Sequence, residues 1–319
     1  MVSDAQQDFA LAFLSILFEG VPFILLGTVL SGFIDVYLPP GLMERWLPKK
    51  RLQAVAVAGL LGMVFPVCEC AVVPVIRRLV KKGLPVSCGL TYMLAAPIVN
   101  PITALSTWKA FEGPAQWWMT GSRLALGYTV AVAVGWIVSR LPLAAMLRPS
   151  LVESLKAPEV PEKACADEEC GCGHTHETVE PDRLLAAFRG AMKDFVDVAV
   201  YFSIGVALTA MFNTGVIPGA ERVDGLAGNP VASPFVLMVL SFVLALCSTS
   251  DAFIAATLDK FSWASKLAFL VFGPMVDVKL IFLYQSVLKK RFIVLLSLGL
   301  FLLIGVLSIL WQSFLFPLP

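Results

Sequence analysis

The chain has 319 residues, 58% of them hydrophobic and 15% charged, with a mean hydropathy of +0.83. A soluble domain carries about 45–50% apolar and about 25% charged residues, so the composition excludes an ordinary soluble globule and indicates a membrane protein. With 24 basic against 23 acidic residues the net charge is +1, without the basic excess that nucleic acid as a partner would require.

Long apolar runs fall at about 9–36, 52–76, 84–108, 115–141, 186–216, 233–258, 264–288 and 292–316. Most reach the ~20 residues of a spanning helix, so the expected fold class is an all-α polytopic protein of the cell (cytoplasmic or inner) membrane. The first run follows acidic Asp4 and Asp8 and carries Glu19 and Pro22, unlike a cleaved signal with its basic start, and is expected to stay in the mature chain.

The second run is flanked by two basic clusters, Arg45/Lys49/Lys50/Arg51 and Arg77/Arg78/Lys81/Lys82, both of which the positive-inside tendency places in the cytoplasm. One straight span cannot satisfy both. The run is interrupted by Phe65-Pro66-Val67-Cys68-Glu69-Cys70, which predicts two arms that dip into the membrane and return. The sixth run is broken in the same way by Cys247-Ser248-Thr249-Ser250-Asp251. Each half then has three spanning helices plus one broken or re-entrant hairpin, and an odd number of spans inverts the second half relative to the first. The N-terminus is then external and the linker cytoplasmic. The alternative is eight full spans, which leaves the basic residues almost unbiased between the two faces.

The halves also match in register. Glu19 falls on Asp197, Gly27 on Gly205 and Pro40-Gly41 on Pro218-Gly219, all at a spacing of 178 residues. With small slips Cys68 falls on Cys247, and Pro97-Ile98-Val99-Asn100 on Pro274-Met275-Val276-Asp277. The organisation is therefore a first membrane repeat over 1–147, a cytoplasmic linker over 148–183 and a second membrane repeat over 184–319. Inverted repeats with broken helices at matching places mark secondary transporters, whose substrate sites lie where the breaks meet.

Cys68, Glu69 and Cys70 place two thiols and a carboxylate at a helix break, a donor set suited to a soft cation or trivalent metalloid. Cysteine also serves as a small buried hydrophobe; the repeat partner Cys247 favours the functional reading. Charges at mid-membrane cost from about 2.5 kcal/mol upward, so Glu19, Glu69, Asp197, Asp251 and Asp277 are expected to face the interior or a wet cavity. Glu19 and Asp197 are candidates for proton coupling, with hydrogen bonding to helix-break amides as the alternative. Asn100 and Asp277 follow paired prolines and are candidate lining residues. Lys279 either pairs with Asp277 or snorkels outward. Cys88, Met63 and Met93 read as packing, and Trp117-Trp118 as part of an interfacial belt.

The linker packs Cys165, Cys170, Cys172, His174 and His176 into twelve residues from 165 to 176. Sulfur and imidazole suit Cu(I) or Zn(II), and the spacing is not that of a zinc finger, which predicts a flexible trap that orders on binding. A cytoplasmic location keeps such thiols reduced.

The run Phe65-Pro66-Val67-Cys68-Glu69-Cys70-Ala71-Val72-Val73-Pro74-Val75-Ile76-Arg77-Arg78, followed by Leu94-Ala95-Ala96-Pro97-Ile98-Val99-Asn100-Pro101, resembles the bacterial predicted-permease family that includes the organoarsenical efflux permeases. Cys247-Ser248-Thr249-Ser250-Asp251-Ala252-Phe253 resembles it in the second half. The Cys-Glu-Cys form with a Cys/His-rich linker is similar to a branch assigned to copper and zinc efflux. The resemblance implies export of a thiol-loving metal or metalloid, with Cys68, Cys70 and Cys247 as candidate ligands. Much of the family carries Cys-Ser-Cys without this linker, and the departures here favour a metal cation over an organoarsenical.

The leading expectation is a secondary, proton-coupled exporter working by alternating access, not an enzyme. No P-loop is present to hydrolyse ATP. Expected partners are a soft metal or metalloid ion and the lipid bilayer, with a homo-oligomer left open; no cofactor is required, and Cu(I) or Zn(II) is the ion expected to bind at the linker. The rival from another class is a thiol-disulfide oxidoreductase passing electrons through Cys68 and Cys247. A third is a metal sensor or store with a membrane anchor.

Overall fold

The computed structural model describes residues 4–37, 47–64, 68–148, 180–216 and 229–315. Among them the regular structure is helical, apart from one isolated bridge between Leu147 and Leu288. The first half holds α1 (Asp4–Tyr37), α2 (Arg51–Val64), α3 (Glu69–Lys81), α4 (Val86–Ala95), α5 (Pro101–Ala110), α6 (Gln116–Val138) and a short α7 (Leu143–Met146). The second holds α8 (Glu180–Val216), α9 (Ala232–Leu244), α10 (Asp251–Thr257), α11 (Trp263–Met275), α12 (Val278–Tyr284) and α13 (Lys290–Leu315). Among the described residues five helical stretches are long and apolar enough to cross a membrane: Gln6–Ile34, Gln116–Val138, Ala187–Met211, Trp263–Tyr284 and Lys290–Ser313. Helices α2, α4 and α9 are apolar but shorter. The chain is thus a polytopic helical membrane protein.

The breaks have local causes. Pro97 supplies no backbone N–H to a continuing helix, and the chain restarts when the Asn100 side-chain oxygen Oδ1 accepts the Ile102 N–H at 2.9 Å, with Pro101 in the first turn. At the matching place Val276 is extended, and an Asp277 carboxylate oxygen accepts the Leu280 N–H at 2.6 Å to start α12. Helix α9 ends differently, on Ala245 in the left-handed region at φ 48°, a conformation costing a non-glycine residue about 1–2 kcal/mol. Helix α8 starts at Glu180, inside the stretch expected to be linker, because Pro181 fits a first turn where its missing N–H is not needed.

Helix α11 is buried from Ala264 to Met275, and α4 from Cys88 to Ala95; the two touch and form the centre of the core. The largest helix pair is α1 with α8. Around the centre α2 packs on α4 and α6, and α9 on α11 and α13. The halves also interlock crosswise, α3 against α12 and α5 against α10. Two glycines permit close approaches at the helices that carry the site: a Cβ on Gly27 of α1 would stand 2.6 Å from the Ala71 carbonyl of α3, and one on Gly205 of α8 would stand 2.7 Å from the Lys279 Cα of α12. Helix α1 exposes Leu11, Phe18 and Leu26, as a lipid-facing helix does.

The element ends sit as follows. Lys49 and Arg51 at the start of α2, Pro85 and Ser87 at the start of α4, and Ser139 after α6 line one cavity. The Ser233 hydroxyl at the start of α9 hydrogen-bonds the Ser265 hydroxyl at the start of α11 at 2.7 Å. The Trp263 ring of α11 lies 6.2 Å from Phe111, which precedes α6.

Candidate functional site

Four helix starts bring polar groups into the apolar interior: Glu69 on α3, Asn100 before α5, Asp251 on α10 and Asp277 before α12. Each is at most 5% exposed, and a buried charge at such depth persists only when it is paired and hydrogen-bonded. Two clusters provide the pairing.

The first is built on Lys279. Its ammonium lies 3.3 Å from Glu69 Oε1 and 3.6 Å from Asp277 Oδ2, and donates to the carbonyls of Ala245 at 2.9 Å and Leu246 at 3.4 Å. The left-handed turn at Ala245 thus presents a carbonyl to the lysine. Of the two fates expected for Lys279, burial beside Asp277 is the one found, with Glu69 of the other half as a further partner. Asp277 Oδ2 has no hydrogen-bond partner among the described residues.

The second cluster is built on Arg123 of α6, 1% exposed. It donates to both Asp251 carboxylate oxygens at 2.8 and 3.0 Å, to the Ser248 carbonyl at 3.0 Å and to the Thr107 hydroxyl at 2.7 Å. Ser248 joins the clusters, since its hydroxyl donates to Glu69 Oε2 at 3.3 Å while its carbonyl accepts from Arg123. Both clusters span the two halves.

Beside the first cluster lies a cavity of about 20 Å³, room for about one water molecule. Cys68, Cys70 and Cys247 line it with Glu69 and Lys279, and Glu19, Gly20, Phe23 and Phe202 close its other side. The three cysteines are free thiols, as is Cys88, which is buried in the core. The Thr249 hydroxyl donates to Cys247 Sγ at 3.6 Å. With Glu69 and Asp277 held by Lys279, the thiols are the soft donors left uncommitted at the cavity. Among the described residues no three His, Cys, Asp or Glu stand close enough to hold a metal ion as placed, so this is no preformed metal centre.

The other sequence candidates separate. Glu19 borders the cavity from an exposed position on α1. Asp197, its repeat partner, is not in the interior as expected: its side chain is 50% exposed and lies 3.6 Å from Arg77. The buried acid of α8 is Asp194, one turn earlier, 2.8 Å from Arg78 and 3.9 Å from Arg77. Asn100 and Asp277 act as helix caps, and neither borders the thiol cavity. Cys165, Cys170, Cys172, His174 and His176 lie outside the described residues. Sequence reasoning missed Arg123, Ser248 and Asp194; a lone arginine inside an apolar run was the one signal that pointed to any of them.

Comparison with known proteins adds relatives to this geometry. A family model described as a predicted permease (ArsP_1) matches residues 6–313. The chain is similar to the UPF0718 protein YcgR of Bacillus subtilis, 37% identical over 286 residues that make up 89% of this chain and 90% of that protein. It is also similar to a Streptococcus mutans protein named "Putative two-component membrane permease complex subunit", 31% identical over 285 residues, 88% of this chain and 87% of that one. No solved structure matches the chain.

Proposed function

The chain belongs to the predicted-permease family, and from that premise we propose that this membrane permease exports a thiol-loving metal ion or metalloid from the cytoplasm, as a secondary, proton-coupled transporter. The observation that carries the reading is the shared cavity of Cys68, Cys70 and Cys247, where Glu69 already has Lys279 as its cationic partner. Three soft thiol donors favour copper(I), zinc or a trivalent arsenical over alkali or alkaline-earth ions. Binding to thiols releases their protons, which ties cargo loading to proton exchange. Glu19, at the cavity edge, is the carboxylate placed to take part in that exchange; Asp197, beside Arg77, is not.

The halves act as inverted repeats. Support comes from the element ends: the start of α2 and the start of α4, which follows α3, line one cavity, and the starts of α9 and α11 are joined by the Ser233–Ser265 bond, as re-entrant hairpins require. Helix α4 starts beside the C-terminal end of α6 and α11 beside its N-terminal end, so the two central helices run in opposite directions. Rocking between the halves exposes the thiols alternately to the two sides. The linker residues Cys165, Cys170, Cys172, His174 and His176 capture the ion on the cytoplasmic side. The Streptococcus mutans relative is named as a subunit of a two-component complex, and a second membrane polypeptide is accordingly a partner proposed for this chain.

The test is uptake of Cu(I), Zn(II) and trivalent arsenicals into inverted membrane vesicles, with and without a proton gradient, in wild type and a Cys68→Ser/Cys70→Ser variant. Gradient-dependent uptake of one cargo that the variant loses is the expected result. Equal uptake by both proteins would remove the thiols from the mechanism. A Cys68–Cys247 disulfide trapped in cells, with no uptake of any cargo, would transfer the assignment to thiol-disulfide exchange.

A further inference from the structure

The cavity at the ends of α2, α4 and α6 has no role in the transport reading. It measures about 360 Å³, within the range of ligand sites, roughly 300–1,000 Å³. Its polar lining is Lys49, Arg51, Ser87 and Ser139, set among apolar residues such as Leu47 and Pro48, and among the described residues no acidic one belongs to it. Lys49 and Arg51 are exposed and make no ion pair among the described residues. Two free cations over an apolar floor attract a ligand with a negative head and an apolar body.

The level of the cavity in the bilayer is marked by its neighbours. Ser139 directly follows the spanning helix α6, and the Arg140 guanidinium stacks 4.2 Å from the ring of Trp136. A tryptophan capped by an arginine at the end of a span is the residue pair of the lipid headgroup layer. The basic residues put this end on the cytoplasmic side, where anionic lipids gather around juxtamembrane cations.

We propose that this cavity binds the headgroup of an anionic phospholipid of the phosphatidylglycerol type, its phosphodiester on Lys49 and Arg51, its headgroup hydroxyls near Ser87 and Ser139, and its upper acyl chain along the apolar wall. The lipid bridges the base of the first hairpin to the end of α6 and so steadies the half that carries Cys68 and Cys70.

The experiment is lipid binding to the purified full chain in neutral detergent, read by native mass spectrometry and by the unfolding temperature. The probes are phosphatidylglycerol, phosphatidylcholine and inorganic phosphate. Phosphatidylglycerol is expected to be retained and to raise the unfolding temperature, with phosphatidylcholine and phosphate doing neither. Lys49→Gln/Arg51→Gln is expected to weaken phosphatidylglycerol binding about thirtyfold, from the loss of two headgroup-level cations. Lys290→Gln/Arg291→Gln, which removes equally exposed charges away from the cavity, is expected to leave it unchanged. Both positions of the test variant are exposed, so it folds, as its unfolding temperature without lipid will register. Equal retention of the two lipids, undiminished binding by the Lys49/Arg51 variant, or displacement of the lipid by inorganic phosphate would each overturn the assignment.

Discussion

Replacing Arg123 by methionine keeps an apolar stem of similar reach and removes the guanidinium. Four hydrogen bonds disappear, two of them to Asp251 at 2.8 and 3.0 Å, and the carboxylate, 2% exposed, is left in the interior without its counter-ion. Thr107 suffers less, because its hydroxyl still donates to the Thr103 carbonyl at 2.8 Å. Removing one member of a buried ion pair costs about 3–5 kcal/mol, mostly the penalty of the stranded charge, whereas replacing both members by apolar groups of similar size is often close to neutral. The expected pattern is therefore non-additive: Arg123→Met and Asp251→Leu each lose about 3–5 kcal/mol, and the double variant recovers most of that loss. The assay is thermal or denaturant unfolding of the four proteins in one detergent, analysed as a double-mutant cycle. Single variants within about 0.5 kcal/mol of wild type, or a double variant that merely adds the two losses, would refute the view that this pair is buried and exclusive.

Gly27 and Gly205 are expected to resist enlargement. Gly27→Ala drives a methyl against the Ala71 carbonyl and Gly205→Ala against the Lys279 backbone, an overpacking cost of about 1–3 kcal/mol in unfolding experiments. Gly121→Ala and Gly299→Ala, with open space around both positions, are expected to gain up to about 1 kcal/mol from helix propensity instead. At Ala245, left-handed at φ 48°, glycine is expected to be tolerated or stabilising by the same unfolding measurement and valine to be strongly destabilising; a valine variant as stable as wild type would show that the turn is not held as described.

Much of the framework was legible in the chain because its signals are local. Cys68-Glu69-Cys70 and Cys247-Ser248-Thr249-Ser250-Asp251 announced breaks by setting polar groups in apolar runs, and both are breaks in the structure. Asn100 followed by Pro101 carried the mark of a helix start. What escaped were pairings between distant residues. Arg123 finds Asp251 across 128 positions and Lys279 finds Glu69 across 210, and nothing in either neighbourhood specifies the partner. The reading of α8 failed for a different reason. Repeat register drew attention to Asp197, while burial selects Asp194 one turn earlier. Two acids three residues apart lie on overlapping faces of one helix, and hydrophobic periodicity does not say which of them turns inward.

The crosswise pairing also sets a schedule for biogenesis. At a synthesis rate of about 5–20 residues per second, Lys279 leaves the ribosome roughly ten to forty seconds after Glu69, from which it is separated by 210 residues. Asp251 likewise trails Arg123 by 128 residues. For that interval the inserted first half holds an acid and a base with no counter-ions, and they must be served by water or by the insertion machinery. A chain interrupted in the linker is thus a substrate for quality control, and the two halves are unsuited to independent expression.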